Sequence, residues 1–203
     1  MKSSTDEIIP IIGTALAGGF FAGRIRVDGQ AYALIVAPKA TGERSDVPWT
    51  TEEHNVLYAQ SFCDGLLNTK EMADAGSELA KWALSLTIGD SADWYLPSQD
   101  ELEIIYRNLK PTTRENYCYA RSGINLAAIE PTSPYTPGFP VQTQADAFKA
   151  TASEAFEPSW YWSSTQSSAY TGSAWIQVFS DGYQDGYRES YAGRARAVRR
   201  FKI

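Results

Sequence analysis

Two cysteines and one histidine are all that 203 residues offer of the usual soft metal ligands. Cys63, Cys118 and His54 are too few for a Cys/His zinc site, so no metal or other cofactor is expected. Two cysteines in a chain of this kind read as buried free thiols rather than a disulfide. No apolar run approaches the roughly 20 residues that span a bilayer, so no membrane insertion is expected. The opening MKSSTDEIIP has neither the apolar stretch nor the cleavage site of a secretory leader. The expectation is a chain made in the bacterial cytoplasm that stays there or leaves within a particle. A surplus of positive charge is missing too. The net charge of −6 gives no bulk attraction to nucleic acid.

What is present suits a folded domain. Apolar residues make up 43% and aromatics 13% of the chain. Residues 1–19 are polar and then Gly- and Ala-rich, and read as an N-terminal arm for attachment or oligomer contact. Two β-rich runs, 20–27 and 30–37, flank Asp28-Gly29, a pair that favours a two-residue hairpin. Thr50 with Glu53 suggests a capping box before a helical stretch near 54–62. From Thr69 onward, Met72, Leu79, Trp82, Ala83 and Leu86 recur at helical spacing. Ser98 and Glu101 after Pro97 form a second capping box, and Leu102, Ile105 and Leu109 share one face of the helix that follows. Residues 111–159 form a turn-rich insertion with four prolines between 131 and 140 and a short helix at 144–150. Short β-like runs close the chain. Helices segregated from an antiparallel sheet predict an α+β fold.

Basic residues in the last quarter are almost all arginine: Arg188, Arg194, Arg196, Arg199 and Arg200, with no lysine between Lys149 and Lys202. From Trp160 onward six basic residues face three acidic ones, a local +3 against −9 for the rest. Tyrosine, tryptophan, serine and glycine fill the same segment. Tyr and Trp offer large amphipathic contact area with few rotatable bonds, Ser and Gly adapt, and Arg pairs or stacks. Trp160, Trp162, Trp175 and Phe179 are expected in the core, with Trp82, Leu102 and Ile105. Tyr183, Tyr187 and Tyr191 are expected on exposed turns. The predicted contact surface comprises Ser167, Ser168, Tyr170, Thr171, Ser173, Ser180, Tyr183, Asp185, Tyr187, Arg188, Glu189 and Tyr191. At least one terminal arginine is expected to brace the scaffold through a carboxylate.

DWYLPSQDEL at 93–102, WYWSST at 160–165, the segment at 174–183 and GRARAVRRF at 193–201 together resemble the Lcl C-terminal-domain family. The shared motifs are Trp-x-Leu-Pro…Glu-Leu, Tyr-Trp-Ser-Ser and a closing Arg-x-Val-Arg. The resemblance implies a C-type-lectin-like fold over 20–203: two helices against a small antiparallel sheet, long irregular loops, and the first strands beside the closing strand. It also implies a variable region at 160–200, as in phage-encoded variable proteins of diversity-generating retroelements. The expected function is binding of a host cell-surface receptor, protein or glycan, by a phage tail-fibre or tail-tip protein. Such a protein would be a homo-oligomer or docked on a tail component, and localised to the virion. The Glu-Pro-Asn and Trp-Asn-Asp motifs of calcium-dependent sugar binding are missing.

Rival readings are weaker. A formylglycine-generating-type oxidase would need Cys63 and Cys118 as a reactive pair, and neither has Arg or His beside it in sequence. Asp181 and Asp185 could serve as paired carboxylates, but each precedes a glycine, as turn residues do. His54 has no partner readable in sequence. No enzymatic activity is therefore expected. A structural virion or assembly protein using the same domain for subunit contacts is the alternative.

Overall fold

The structure, a computed structural model, describes residues 9–51, 56, 58–119 and 121–203. Its first sheet is built on the predicted hairpin. β2 (Gly19–Val27) pairs with β3 (Gln30–Val36), and Val27 faces Gln30 across the turn. Asp28 and Gly29 both take positive φ, 49° and 78°, as a two-residue turn of the primed type requires. The described part of the expected arm is not separate from the domain. β1 (Ala15–Leu16) pairs with β2, and Gly13 N–H donates to Phe21 O at 2.8 Å.

The chain ends meet as expected. β10 (Val198–Lys202) runs antiparallel to β3, from Val198 opposite Val36 to Lys202 opposite Tyr32. Helix α1 (Lys39–Gly42) is a single turn leading into β4 (Glu43–Val47). The predicted helix from Thr69 is two helices, α2 (Gly65–Asp74) and α3 (Glu78–Ser85). Gly76, at φ 101°, ends α2. Its N–H donates to Ala73 O and that of Ser77 to Met72 O, the two bonds of a Schellman stop. Ser77 then caps α3 by accepting from Ala80 N–H. The helical period runs in phase across the break, which hid it. At 54–62, residues 58–60 form a turn rather than a helix, while Glu53 and His54 lie outside the described residues.

Helix α4 (Gln99–Leu109) opens with the predicted capping box of Ser98 and Glu101. It covers one face of the first sheet, with Leu102, Ile104 and Ile105 against Ile25, Leu34 and Val36. Trp82 and Leu86 pack instead with Phe21, Ala33 and Ile35 on the opposite face. The helices therefore do not share one side as expected, because the alternating side chains of β3 are apolar in both directions.

The insertion is tied down. Lys110, almost fully buried, donates from Nζ to Asn116 Oδ1 at 2.8 Å and to Pro140 O at 3.2 Å. β5 (Ala128–Ile129) pairs with β2. The helix expected at 144–150 is a 3-10 turn at Asp146–Phe148, whose Phe148 packs edge-on against Phe20.

The second sheet has the order β4, β9 (Gly193–Arg196), β6 (Trp160–Gln166), β7 (Ser173–Val178), β8 (Gln184–Arg188). Only β6 and β9 run parallel in it. Ala197, between β9 and β10, joins the two sheets: its N–H donates to Gly42 O and its C=O accepts from Ala37 N–H. The fold is thus mixed α and β, with four helices among the described residues where two were expected.

Candidate functional site

β7 and β8 form the outer edge of the second sheet. Their register places Ser173 opposite Arg188, Trp175 opposite Gly186 and Gln177 opposite Gln184. Strand periodicity turns Ala174 and Ile176 into the core and Trp175 the other way. Trp175 is therefore only half-buried, against the expectation of a core tryptophan. Gly186 has no side chain to cover it. A concavity of about 620 Å³ opens here, lined by Tyr170, Thr171, Ser173, Trp175, Gly186 and Arg188 among others.

The other expected core residues divide. Trp162, Leu102, Ile105 and Phe179 are buried, whereas Trp82 and Trp160 are half-buried. Trp160 begins an aromatic series running outward. Its ring lies 5.1 Å from Trp162 and 4.9 Å from Tyr187, and Tyr187 lies 5.6 Å from Tyr191. Tyr170 is 71% exposed, Tyr191 49% and Tyr187 40%. Ser168, Thr171, Asp185 and Arg188 are exposed as predicted, and Ser173 is half-buried.

Tyr183 is half-buried rather than exposed, because its ring packs edge-on against Tyr117 at 4.9 Å. Its hydroxyl donates to Asp185, and that bond pushes the phenol pKa up to about 12. Tyr117 and Tyr119, both exposed, extend this patch from the insertion. Sequence reasoning passed over them; the pair flanking Cys118 in a turn-rich segment was the available signal.

Three predicted contact residues are interior. Ser167 lies at the root of a turn, where its N–H donates to Ser173 O and its Oγ accepts from Tyr170 N–H. Ser180 is buried where Thr112 Oγ1 donates to its carbonyl. Glu189 is fully buried, its Oε1 accepting from Gln166 Nε2 at 2.7 Å and its carbonyl from Trp49 N–H at 2.9 Å. Each has exchanged water for protein partners, which local sequence does not reveal.

The arginines also separate. Arg194 pairs with Glu43 at 3.0 Å, Arg199 with Asp93 at 2.6 Å, and Arg200 with Asp64 at 2.8 Å and Glu101 at 3.3 Å. Arg196 is buried against Glu154 at 2.6 Å, with Phe156 beneath its guanidinium at 4.7 Å. Burial pushes the Glu43 carboxyl up from its ordinary pKa, opposed first by Arg196. Of the five, only Arg188 has no carboxylate partner among the described residues.

The two carboxylates of the rival reading bond backbone N–H groups close by in sequence. Asp181 accepts from Tyr183 N–H in a turn, as expected, whereas Asp185, also expected in a turn, lies within β8 and accepts from Gly186 N–H. Cys63 and Cys118 are free thiols; Cys63 is half-buried and Cys118 exposed, so neither is the buried thiol expected. Cys63 is pushed up by burial, away from thiolate character. Among the described residues, no group of three or more His, Cys, Asp or Glu could hold a metal ion, and no helix is long and apolar enough to cross a membrane.

An α+β scaffold braced by ion pairs, with exposed aromatic, hydroxyl and guanidinium groups gathered on one outer edge, fits a binding-type domain. The chain belongs to the Lcl C-terminal domain family, whose model matches residues 40–199. No curated protein gives a significant match to the chain.

Proposed function

We propose that this protein is a non-enzymatic receptor-binding protein. Its contact surface is the outer layer of β7 and β8 with the turns at 168–172 and 190–192, carried on a C-type-lectin-like scaffold. The observation that carries the reading is the contrast within one segment. Arg194, Arg196, Arg199 and Arg200 are held by carboxylates, while Arg188, beside Tyr170 and Trp175, has no carboxylate partner among the described residues. Aromatic and Arg side chains in a concavity are the usual anchors of an interface.

The finer reading is supported by the family resemblance and by the outward placement of the side chains at 168, 170, 171, 185, 187 and 188. The protein serves a phage tail fibre or tail tip, in the virion, as a homo-oligomer or docked on a tail component. It recognises a host cell-surface protein or glycan, and a diversity-generating retroelement exchanges its outward residues. Exposed Tyr, Ser, Thr, Asp and Arg positions suit such exchange because little packs on them.

The test is a pair of measurements on Tyr187→Ala/Tyr191→Ala. Melting should barely move, since exposed substitutions cost within about 0.5 kcal/mol each. Host-cell binding should fall by more than tenfold, given about 2 kcal/mol or more for an anchor residue. Unchanged binding would remove this edge from consideration. Sequencing the gene across a phage population tests the diversification: substitutions should cluster at codons for exposed residues and spare those for Arg194 and Arg196. An even spread would refute it.

A further inference from the structure

β8 is a poor specifier of its own register. Its five residues, Gln-Asp-Gly-Tyr-Arg, hold no aliphatic side chain, and four of them are not buried. A strand whose apolar pattern is weak is prone to slip, and a slip of one residue turns every side chain to the other face. It is also an edge strand, with a neighbour on one side only among the described residues. What holds it is polar. Gln184, the one buried side chain of the strand, accepts at Oε1 from Gln99 Nε2 of α4 at 3.0 Å. Gln177, opposite it on β7 and equally buried, directs its amide to Gly182 O in the preceding turn at 3.4 Å. Just past the other end, Glu189 accepts from Gln166 of β6.

We propose that these buried amide-centred contacts, Gln184 with Gln99 and Glu189 with Gln166, fix the register of β8 independently of the exposed residues Asp185, Tyr187 and Arg188, so that those residues can change without loss of the fold. A slip by one would put Tyr183 or Asp185 in the place of Gln184. The interior site that the Gln184 amide fills would then have to take the Tyr183 ring or the charged Asp185 carboxylate, and burying a charge without a cation beside it is costly. The inference rests on the reading that 185–188 belong to an exchangeable contact surface. It concerns folding rather than binding, so the two can fail separately.

The experiment displays the full chain on cells with positions 185, 187, 188 and 191 randomised together, and counts the protease-resistant fraction. Three backgrounds are compared: the parent, Gln99→Leu, and Ile105→Val as a core control chosen for a similar loss of melting temperature. Gln99→Leu keeps its backbone N–H bond to Thr165 Oγ1, so α4 still starts normally. The resistant fraction should fall by about fivefold in Gln99→Leu, the ratio corresponding to one lost internal hydrogen bond, and clearly less in the control. Hydrogen exchange on the unrandomised Gln99→Leu chain should quicken at β8 amides and not in α4. Equal losses in Gln99→Leu and the control would mean that only global stability limits tolerance, which overturns the proposal. So would unchanged exchange at β8. Should the control fold less well than intended, Gln184→Leu against Gln99→Leu supplies the second comparison: both must lose tolerance alike.

Discussion

Replacing Arg196 tests the division between scaffold and surface arginines most directly. Its guanidinium donates from Nε to Ala37 O at 2.8 Å, from Nη1 to Glu154 O at 2.7 Å and from Nη2 to Glu154 Oε2 at 2.6 Å. Glu43 Oε2 lies 3.8 Å away, and rings of Phe156 and Phe148 flank it. Arg196→Met fills much of the volume but removes the charge and all three donors. Breaking a buried pair by removing one partner costs about 3–5 kcal/mol. Two carbonyls stripped of donors act in the same direction. Against a total stability of about 5–15 kcal/mol, that is a large share. With a urea m value of about 2 kcal/mol per molar, a loss of 4 kcal/mol lowers the midpoint by roughly 2 M. Arg196→Lys keeps the charge but cannot span three acceptors with a planar fork, and should fall between. Arg188→Met should stay within about 0.5 kcal/mol of the parent. A midpoint for Arg196→Met close to the parent, or an equal fall for Arg188→Met, would refute the division.

Two further outcomes are expected. Trp162→Ala should cost about 3–5 kcal/mol as a fully buried aromatic, and Trp175→Ala less than half as much by the same urea titration; equal costs would place Trp175 in the core after all. Burial raises the Asp100 pKa to about 6 despite the opposing Arg121 guanidinium at 2.7 Å. Between about pH 4 and 6 the native carboxyl then keeps a proton that the unfolded one has released, so stability falls as pH rises through this window. Asp100→Asn lacks that titration, and its stability relative to the parent should climb by on the order of 1 kcal/mol per pH unit across it; a difference independent of pH would show that Asp100 is not so perturbed.

The features legible in the sequence are those decided locally. Asp28-Gly29 and the Ser98–Glu101 box each specify a turn or cap through their own backbone needs, and both form. The break at Gly76 had an equally local signal, a glycine followed by a capping serine, but the apolar spacing on either side outweighed it. Trp162 and Trp175 could not be told apart in advance. Both sit in strands rich in small and polar residues, and only the face that the sheet packs decides between them. Ser167, Ser180 and Glu189 were misread for the same reason in reverse: polar residues in a turn-rich segment look exposed unless their distant partners are known.

Those distant partners also account for the motifs that carry the family resemblance. The Ser-Ser-Thr of β6 is wholly buried, which would be costly for hydroxyls without acceptors. Ser163 Oγ donates to Trp175 O at 2.9 Å and Thr165 Oγ1 to Ser61 O at 2.9 Å, while Ser164 N–H donates to Pro97 O at 2.7 Å. Pro97 belongs to the Trp-x-Leu-Pro segment, so the first two motifs are hydrogen-bond partners of each other. The third meets them: Val198, within the closing Arg-x-Val-Arg, exchanges both backbone bonds with Tyr95 at 2.8 Å. All three converge around the start of α4, where Glu101 Oε2 accepts from the backbone N–H groups of Ser98 and Gly65 and Oε1 from the Tyr95 hydroxyl. An added Cβ at Gly65 would lie 2.3 Å from that carboxylate and 2.5 Å from Ser98 N, so even this glycine is fixed by the junction. A junction held by backbone partners and buried hydroxyls makes no demand on the side chains at 168–171 or 185–188. Those positions face outward because the motifs have already used the inward ones.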